Sequence, residues 1–190
     1  MKNTPATKRK LPSIAELYKD TELAIKHSQL ATLLNHDPDP RWIKKHPVHK
    51  TDYIPIERIE WLLSNIFTKW RVEVLNVSQM LNSAVVTIRL HYLDPITSTW
   101  EWQDGLGAHN FQLDAKSKVT QFENLKPNAV KLAVPIAETE AIKDAADKLG
   151  KLFGKDLNRK TSTNYSGISD KFNNYEKIFD NEESTKQSAD

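Results

Sequence analysis

The alternation of apolar and polar positions divides the chain into helices, then strands, then helix again. Ile56, Ile59, Leu63 and Ile66 recur at i, i+3, i+7 and predict an amphipathic helix. Pro55 falls in its first turn, where a missing N–H costs nothing. From Trp70 the period changes to two. WRVEVLNV places Val72 and Val74 on one face, with Arg71 and Glu73 on the other. AVVTIRLHYL repeats the pattern, with Val86, Ile88, Leu90 and Tyr92 inward and Thr87, Arg89 and His91 outward. Asp94-Pro95 predicts a turn, and TWEWQDGLG a third strand. The predicted fold class is α+β: an antiparallel β-meander of three or more strands with one face covered, the Ile56 helix and the opening stretch being available to cover it.

The flanks are read the same way. Ser13 with Glu16 makes a capping-box pattern, so a helix is expected to open there. Leu23, Leu30, Leu33 and Leu34 share one face of a second helix, which DPDP at 37–40 ends because proline disfavours helix in the residue before it. RWIKKHPVHKTDY reads as an irregular basic loop carrying two aromatics. FQLD and KVTQF read either as a short extra hairpin or as a long loop. Helical character resumes near Ala129, with Pro135 marking a kink or a restart. Within AETEAIKDAADKLGKLFGKDLNRK, residues 137–160, the expected apolar face is Ile142, Ala146, Leu149 and Phe153. Gly150 and Gly154 lie where another backbone, of the sheet or of a neighbouring subunit, can come close. The organisation expected is a flexible basic start (1–12), one domain (13–160) and a polar, acidic, disordered tail (161–190).

Composition narrows the chemistry. The chain has no cysteine, which excludes disulfides, thiolate zinc sites and cysteine nucleophiles. With no run of eighteen apolar residues and no signal-peptide core, a soluble, cytoplasmic protein without a membrane segment is expected. Net charge is only +2, but it is unevenly spread. Residues 1–50 hold ten Lys/Arg against five Asp/Glu, and residues 126–160 eight against five. The stretch between holds six against nine, and residues 161–190 three against six. Two basic segments that fold together would make a positive groove for a polyanion. Charge fluctuations of this size are also common, so this feature alone leaves both readings open.

No phosphate loop, nucleophile elbow, HExxH or GxGxxG pattern is present, and neither an enzyme nor a cofactor is expected. GLG at 105–107 reads as a sharp turn at a strand end. Lys44, Lys45 and Lys50 around His46 and His49 oppose a metal site. A metal-dependent nuclease using His109, Asp104 and Asp114 is the weakest reading. Of the five tryptophans, Trp61 and Trp70 are expected in the core, and Trp100 and Trp102 in cross-strand packing. Trp42 and Tyr53 sit among lysines. They suit either base stacking in single-stranded nucleic acid or packing under the loop.

Three stretches follow in one order: YIPIERIEWLLSNIFTKWRVEV, a meander ending in DGLGAH, and AETEAIKDAADKLGKLFGKDLNR. Together they resemble the Rad-fifty-two superfamily of single-strand annealing proteins, most closely its Sak-like bacteriophage and prophage branch, over roughly residues 25–160. The resemblance implies a curved antiparallel sheet wrapped by helices, assembled side by side into a ring with a positive groove for single-stranded DNA. It implies ATP-independent annealing of complementary strands in phage recombination and DNA repair, inside a bacterial host cell. A phage exonuclease or a single-strand-binding protein is a candidate partner. Lys143 matches a family lysine that contacts the DNA backbone, and Tyr53 a tyrosine of the opposite wall. Lys44 and Lys45 stand in place of a groove arginine. Asp144 and Asp147 replace two cations of the eukaryotic members. Lys148, Lys151, Lys155 and Arg159, with Arg41 and Lys50 of the basic loop, are the remaining candidate DNA contacts by charge. The alternative is an interaction module of the same fold in which Asp144–Lys148 and Asp147–Lys151 pairs mute the groove.

Overall fold

The computed structural model describes residues 21–47, 50–114 and 122–159. The helix expected near Ser13, His49, most of KVTQF and the tail beyond Arg159 lie outside those residues. In chain order the elements are α1 (Thr21–Leu34), a 3-10 turn (Pro40–Trp42), β1 (Lys44–Lys45), β2 (Asp52–Tyr53) and α2 (Ile56–Ile66). Then come β3 (Trp70–Met80), β4 (Ser83–Leu93), β5 (Trp100–Asn110), a 3-10 turn (Phe122–Asn124), α3 (Ala129–Asp147) and a last 3-10 turn (Lys151–Phe153).

The α+β meander is present as an antiparallel sheet of order β3-β4-β5. Its central strand follows the period-two reading: Val86, Ile88 and Leu90 are buried, while Thr87, Arg89 and His91 alternate with them. Asp94 closes the β4–β5 turn by accepting from the N–H groups of Ile96 and Thr97. α2 buries Ile59, Leu62 and Leu63, and the chain after it buries Phe67 against Tyr92 and Phe153.

What covers the sheet differs from the sequence reading. α3 lies over β4 and β5, seated by Ala133, Ala137, Ala141 and Ala145, each at most 1% exposed. Four-residue spacing keeps these methyl groups on one slowly turning ridge. Opposite them stand Gly105 and Gly107, in the middle of β5 and not at a turn. A Cβ on Gly105 would fall 2.0 Å from the Ala141 carbonyl oxygen, and one on Gly107 would fall 1.9 Å from that of Ala137. Two absent side chains therefore let a helix backbone rest on a strand. α3 is one helix through Pro135, without the expected restart, and it stops at Asp147, short of the span read from sequence.

Other expectations shift with it. Ile142 and Leu149 are only partly buried, and Phe153 reaches the core from the last 3-10 turn. Gly150, at φ 155°, admits another backbone, but that of Leu34 at the end of α1 and not of the sheet, its oxygen 2.3 Å from an added Cβ, while Gly154 faces only the side chains of Leu157 and Ile54. Leu33 is exposed on α1, whereas Leu34 packs on the core. α3 does not extend over β3, so Val74 shares the inward side with Val72 yet stays open to solvent. The basic loop is corrected too, since it carries a two-stranded hairpin, β1–β2. Trp61 is 48% exposed and not core. It lies two residues from Ile59, about 200° around the helix and so on its far side. Among the described residues, no helix is long and apolar enough to cross a membrane.

Candidate nucleic-acid interface

Lys44 and Tyr53 face each other across the β1–β2 hairpin, so their side chains leave the same side of the ribbon. α3 brings Lys143 to that side. Its Nζ lies 5.1 Å from the centre of the Tyr53 ring, within cation–π reach, and 2.9 Å from Glu140 Oε1. The Lys44 ammonium points along α2 to Glu57, at 3.8 Å. Residues 44, 53 and 143 are thus drawn into one cation–aromatic cluster.

The hairpin is fastened from the far end of the chain. The Asp52 N–H donates to Asn158 Oδ1 (2.8 Å), and Asn158 Nδ2 donates back to the Asp52 carbonyl (2.7 Å). A pair of backbone-directed bonds of this kind fixes the height of β2 against the last turn. Nothing in the sequence marks it, because the two residues lie 106 positions apart.

The remaining candidate cations are spread around the cluster. Lys45 points to the other side of the hairpin, 2.9 Å from Asp52. Arg41 chelates Asp39, which caps the 3-10 turn by accepting the Arg41 N–H. That hydrogen bonding holds the Asp39 carboxyl down at about 2. Lys50 donates to the Pro47 carbonyl (2.7 Å) and is exposed in the hairpin loop. Lys155 is half-buried, and its charge acts on Asp147. Arg159 is exposed, with Nε 3.2 Å from Asp156 Oδ1 but off the hydrogen-bond direction, so charge alone links it to that buried carboxylate.

Lys148 and Lys151 are tied to acids and to neighbouring elements, Lys148 from an exposed position and Lys151 from a buried one. Lys148 binds Asp144 (2.9 Å) and the Asp104 carbonyl, while the Leu106 N–H donates to Asp144 (3.1 Å). Asp144 and Lys148 together stitch the end of α3 to the open edge of β5. The expected i, i+4 pair is therefore present, but as a seam between helix and sheet. Lys151 is only 7% exposed, with its ammonium 3.9 Å from Asp37 at the end of α1. Because α3 ends at Asp147, the helical geometry assumed for an Asp147–Lys151 pair is absent.

Asp147 carries a cost instead. Burial, and then the like charge of Asp144, raise its pKa, and Lys155, Lys148 and Arg159 offset this only in part. The folded state then holds this proton more tightly than the unfolded chain does. Stability falls as pH rises from the unfolded value near 3.8 through the folded value, and stays lowered above it. Asp147→Asn should stabilise the fold at pH 7 and give no gain below pH ~3.8, the unfolded carboxyl value, as read by urea midpoints at both pH values. A variant less stable than wild type at pH 7 would show that the surrounding cations win.

Three arginines attend the tryptophans, a partnership the sequence reading did not include. Arg58 lies between Trp42 and Trp61, 4.9 Å and 5.2 Å from their rings, and the indoles meet edge-to-face at 6.0 Å. The i, i+3 spacing of Arg58 and Trp61 is the signal that was available. On the outer sheet face, Arg71 covers Trp100 and Arg89 covers Trp102, at 5.4 Å and 5.5 Å, so both indoles are half-dressed by cations. Arg89 also grips Asp104 with two bonds (2.7 and 2.9 Å), which lowers the Asp104 pKa.

The nuclease constellation does not assemble: Asp104 and His109 are five residues apart in β5 and project to opposite faces of the sheet. Among the described residues, no three His, Asp or Glu side chains converge as metal ligands. The sequence matches no protein-family model and no curated protein.

Proposed function

We propose that this protein binds single-stranded DNA and anneals complementary strands, without ATP, as an oligomeric ring of the Rad-fifty-two, Sak-like type. The observation that carries the reading is the convergence of Lys143, Tyr53 and Lys44, three residues that the resemblance assigns to the two walls of a DNA groove. A cation held over a tyrosine can meet a phosphate while the ring packs against a sugar. Neither contact uses a base edge, so the edges stay free to pair with a second strand. Assembly is supported by β3. Among the described residues its outer edge pairs with no strand, and Val77 (52% exposed) and Met80 (65%) stand open beside it. A long, apolar, unpaired edge of this kind invites a second chain.

A second reading has its own support. Lys143 in the cluster and Lys45, Lys148 and Arg159 around it each have a carboxylate within 3.2 Å, so the region is close to neutral as it stands. An interaction module that no longer anneals would look the same. The Lys45 and Lys148 pairs are open to solvent, and such pairs are worth only about 0–1 kcal/mol, so a phosphate can take over these two lysines at small cost. Binding of a labelled oligo(dT) across a salt series separates the two. The annealing reading predicts that affinity falls steeply between ~50 and ~200 mM salt, as phosphate contacts require. A flat or absent response favours the interaction module.

A further inference from the structure

We infer that Trp61 and Arg58 form a nucleobase-stacking step beside the Lys143–Tyr53–Lys44 cluster, so that the strand is held by one base face as well as by its backbone. The inference rests on the single-stranded DNA reading and adds a contact of a different kind.

Four observations carry it. Trp61 is a large indole left 48% exposed on a helix whose other face is fully buried. Its ring is braced, with Arg58 5.2 Å from its centre and the Trp42 ring edge-to-face with it at 6.0 Å between centres, so stacking on it costs little side-chain entropy. Arg58 closes no ion pair among the described residues and only lends its charge to Asp39, which leaves its half-buried guanidinium for a phosphate. Finally, Glu57 and Trp61 lie one turn apart on the same ridge of α2, and Lys44 reaches Glu57 at 3.8 Å. The step therefore adjoins the hairpin. A strand crossing Tyr53 and Lys44 meets the indole next.

Stacking suits an annealing protein because it engages the π-face and leaves the pairing edge turned outward. It is also indifferent to sequence, since every base has such a face. The structural alternative, in which Trp61 only shields Arg58, predicts no dependence on bases at all.

The test compares oligo(dT) with an abasic strand of equal length, both binding to the full chain in the same buffer. Trp61→Ala should bind oligo(dT) about tenfold more weakly than wild type, with affinity for the abasic strand unchanged within about twofold. Trp61→Phe should recover most of the loss, and oligo(dT) should quench wild-type tryptophan fluorescence more than that of Trp61→Phe. Equal losses on both strands, or no loss on either, overturns the stacking step while leaving the backbone grip in place. Failure of the wild-type protein to bind either strand overturns both.

Discussion

Gly107→Val is expected to unfold the domain, with a stability loss beyond about 4 kcal/mol, in a range that few single substitutions reach. Even the first carbon of a side chain would sit 1.9 Å from the Ala137 carbonyl oxygen and 2.4 Å from the Ala141 nitrogen. These obstacles are backbone atoms of α3, not flexible side-chain ends. The helix must lift, and lifting it uncovers Ala133, Ala137 and Ala141 together with Val86 and Ile88 beneath. Interiors packed to crystal-like density transmit such a shift instead of absorbing it. Denaturant unfolding of wild type, Gly107→Val and the double variant with Ala137→Gly measures this directly. The double variant should not recover, because trimming Ala137 leaves its carbonyl where it was. Recovery would show that the contact is between side chains.

Lys143→Glu should lose single-strand binding by about tenfold or more while remaining folded. The substitution removes the ammonium above Tyr53 and sets a carboxylate beside Glu140. A phosphate arriving at this point would meet two negative groups where it had one positive partner. The Lys143 side chain is only 20% exposed, so the variant also gives up its Glu140 and Tyr53 partners, and the fold has to be measured beside the binding. Lys143→Gln separates repulsion from loss of the contact. It should weaken binding less and flatten the salt slope by about one unit. Circular dichroism and sedimentation should match wild type for both variants. Normal binding by Lys143→Glu would remove this residue from the interface.

The meander was legible because β4 alternates without interruption from Val86 to Tyr92, and a two-residue period sustained that long marks a half-buried strand. The seat of α3 was not. Alanines are nearly neutral in an apolar-pattern reading, so Ala133, Ala137, Ala141 and Ala145 left only a faint stripe, whereas Ile142 and Leu149 mark the flank of the buried face and Ala146 and Phe153 belong to it. Gly105 and Gly107 had the same difficulty. A glycine within a strand signals either a bend or a close approach, and only the distant helix decides between them. The β1–β2 hairpin has two residues per strand, too few for any period. Trp61 was legible in principle, since a step of two along a helix faces away from Ile59.

The candidate site was legible by another route. Periodicity does not relate Lys143 to Tyr53, and only the resemblance put them in one groove. The fold adds the reason they meet: α3 is pressed close to the sheet by missing side chains, and Asn158 fixes the hairpin beside it. Asp144 and Asp147, the acids at odds with the resemblance, are also accounted for in part. Asp144 ties α3 to β5 through the Leu106 N–H and Lys148, so its first use here is structural.

The most direct measurement is the rate at which two complementary oligonucleotides, one end-labelled on each strand, form duplex with and without this protein and with no nucleotide added. Wild type should accelerate duplex formation, rising salt should suppress the acceleration, and Lys143→Glu should abolish it while keeping its fold. A duplex rate unchanged by the wild-type protein, together with no salt-sensitive binding of either strand, would contradict annealing as the function.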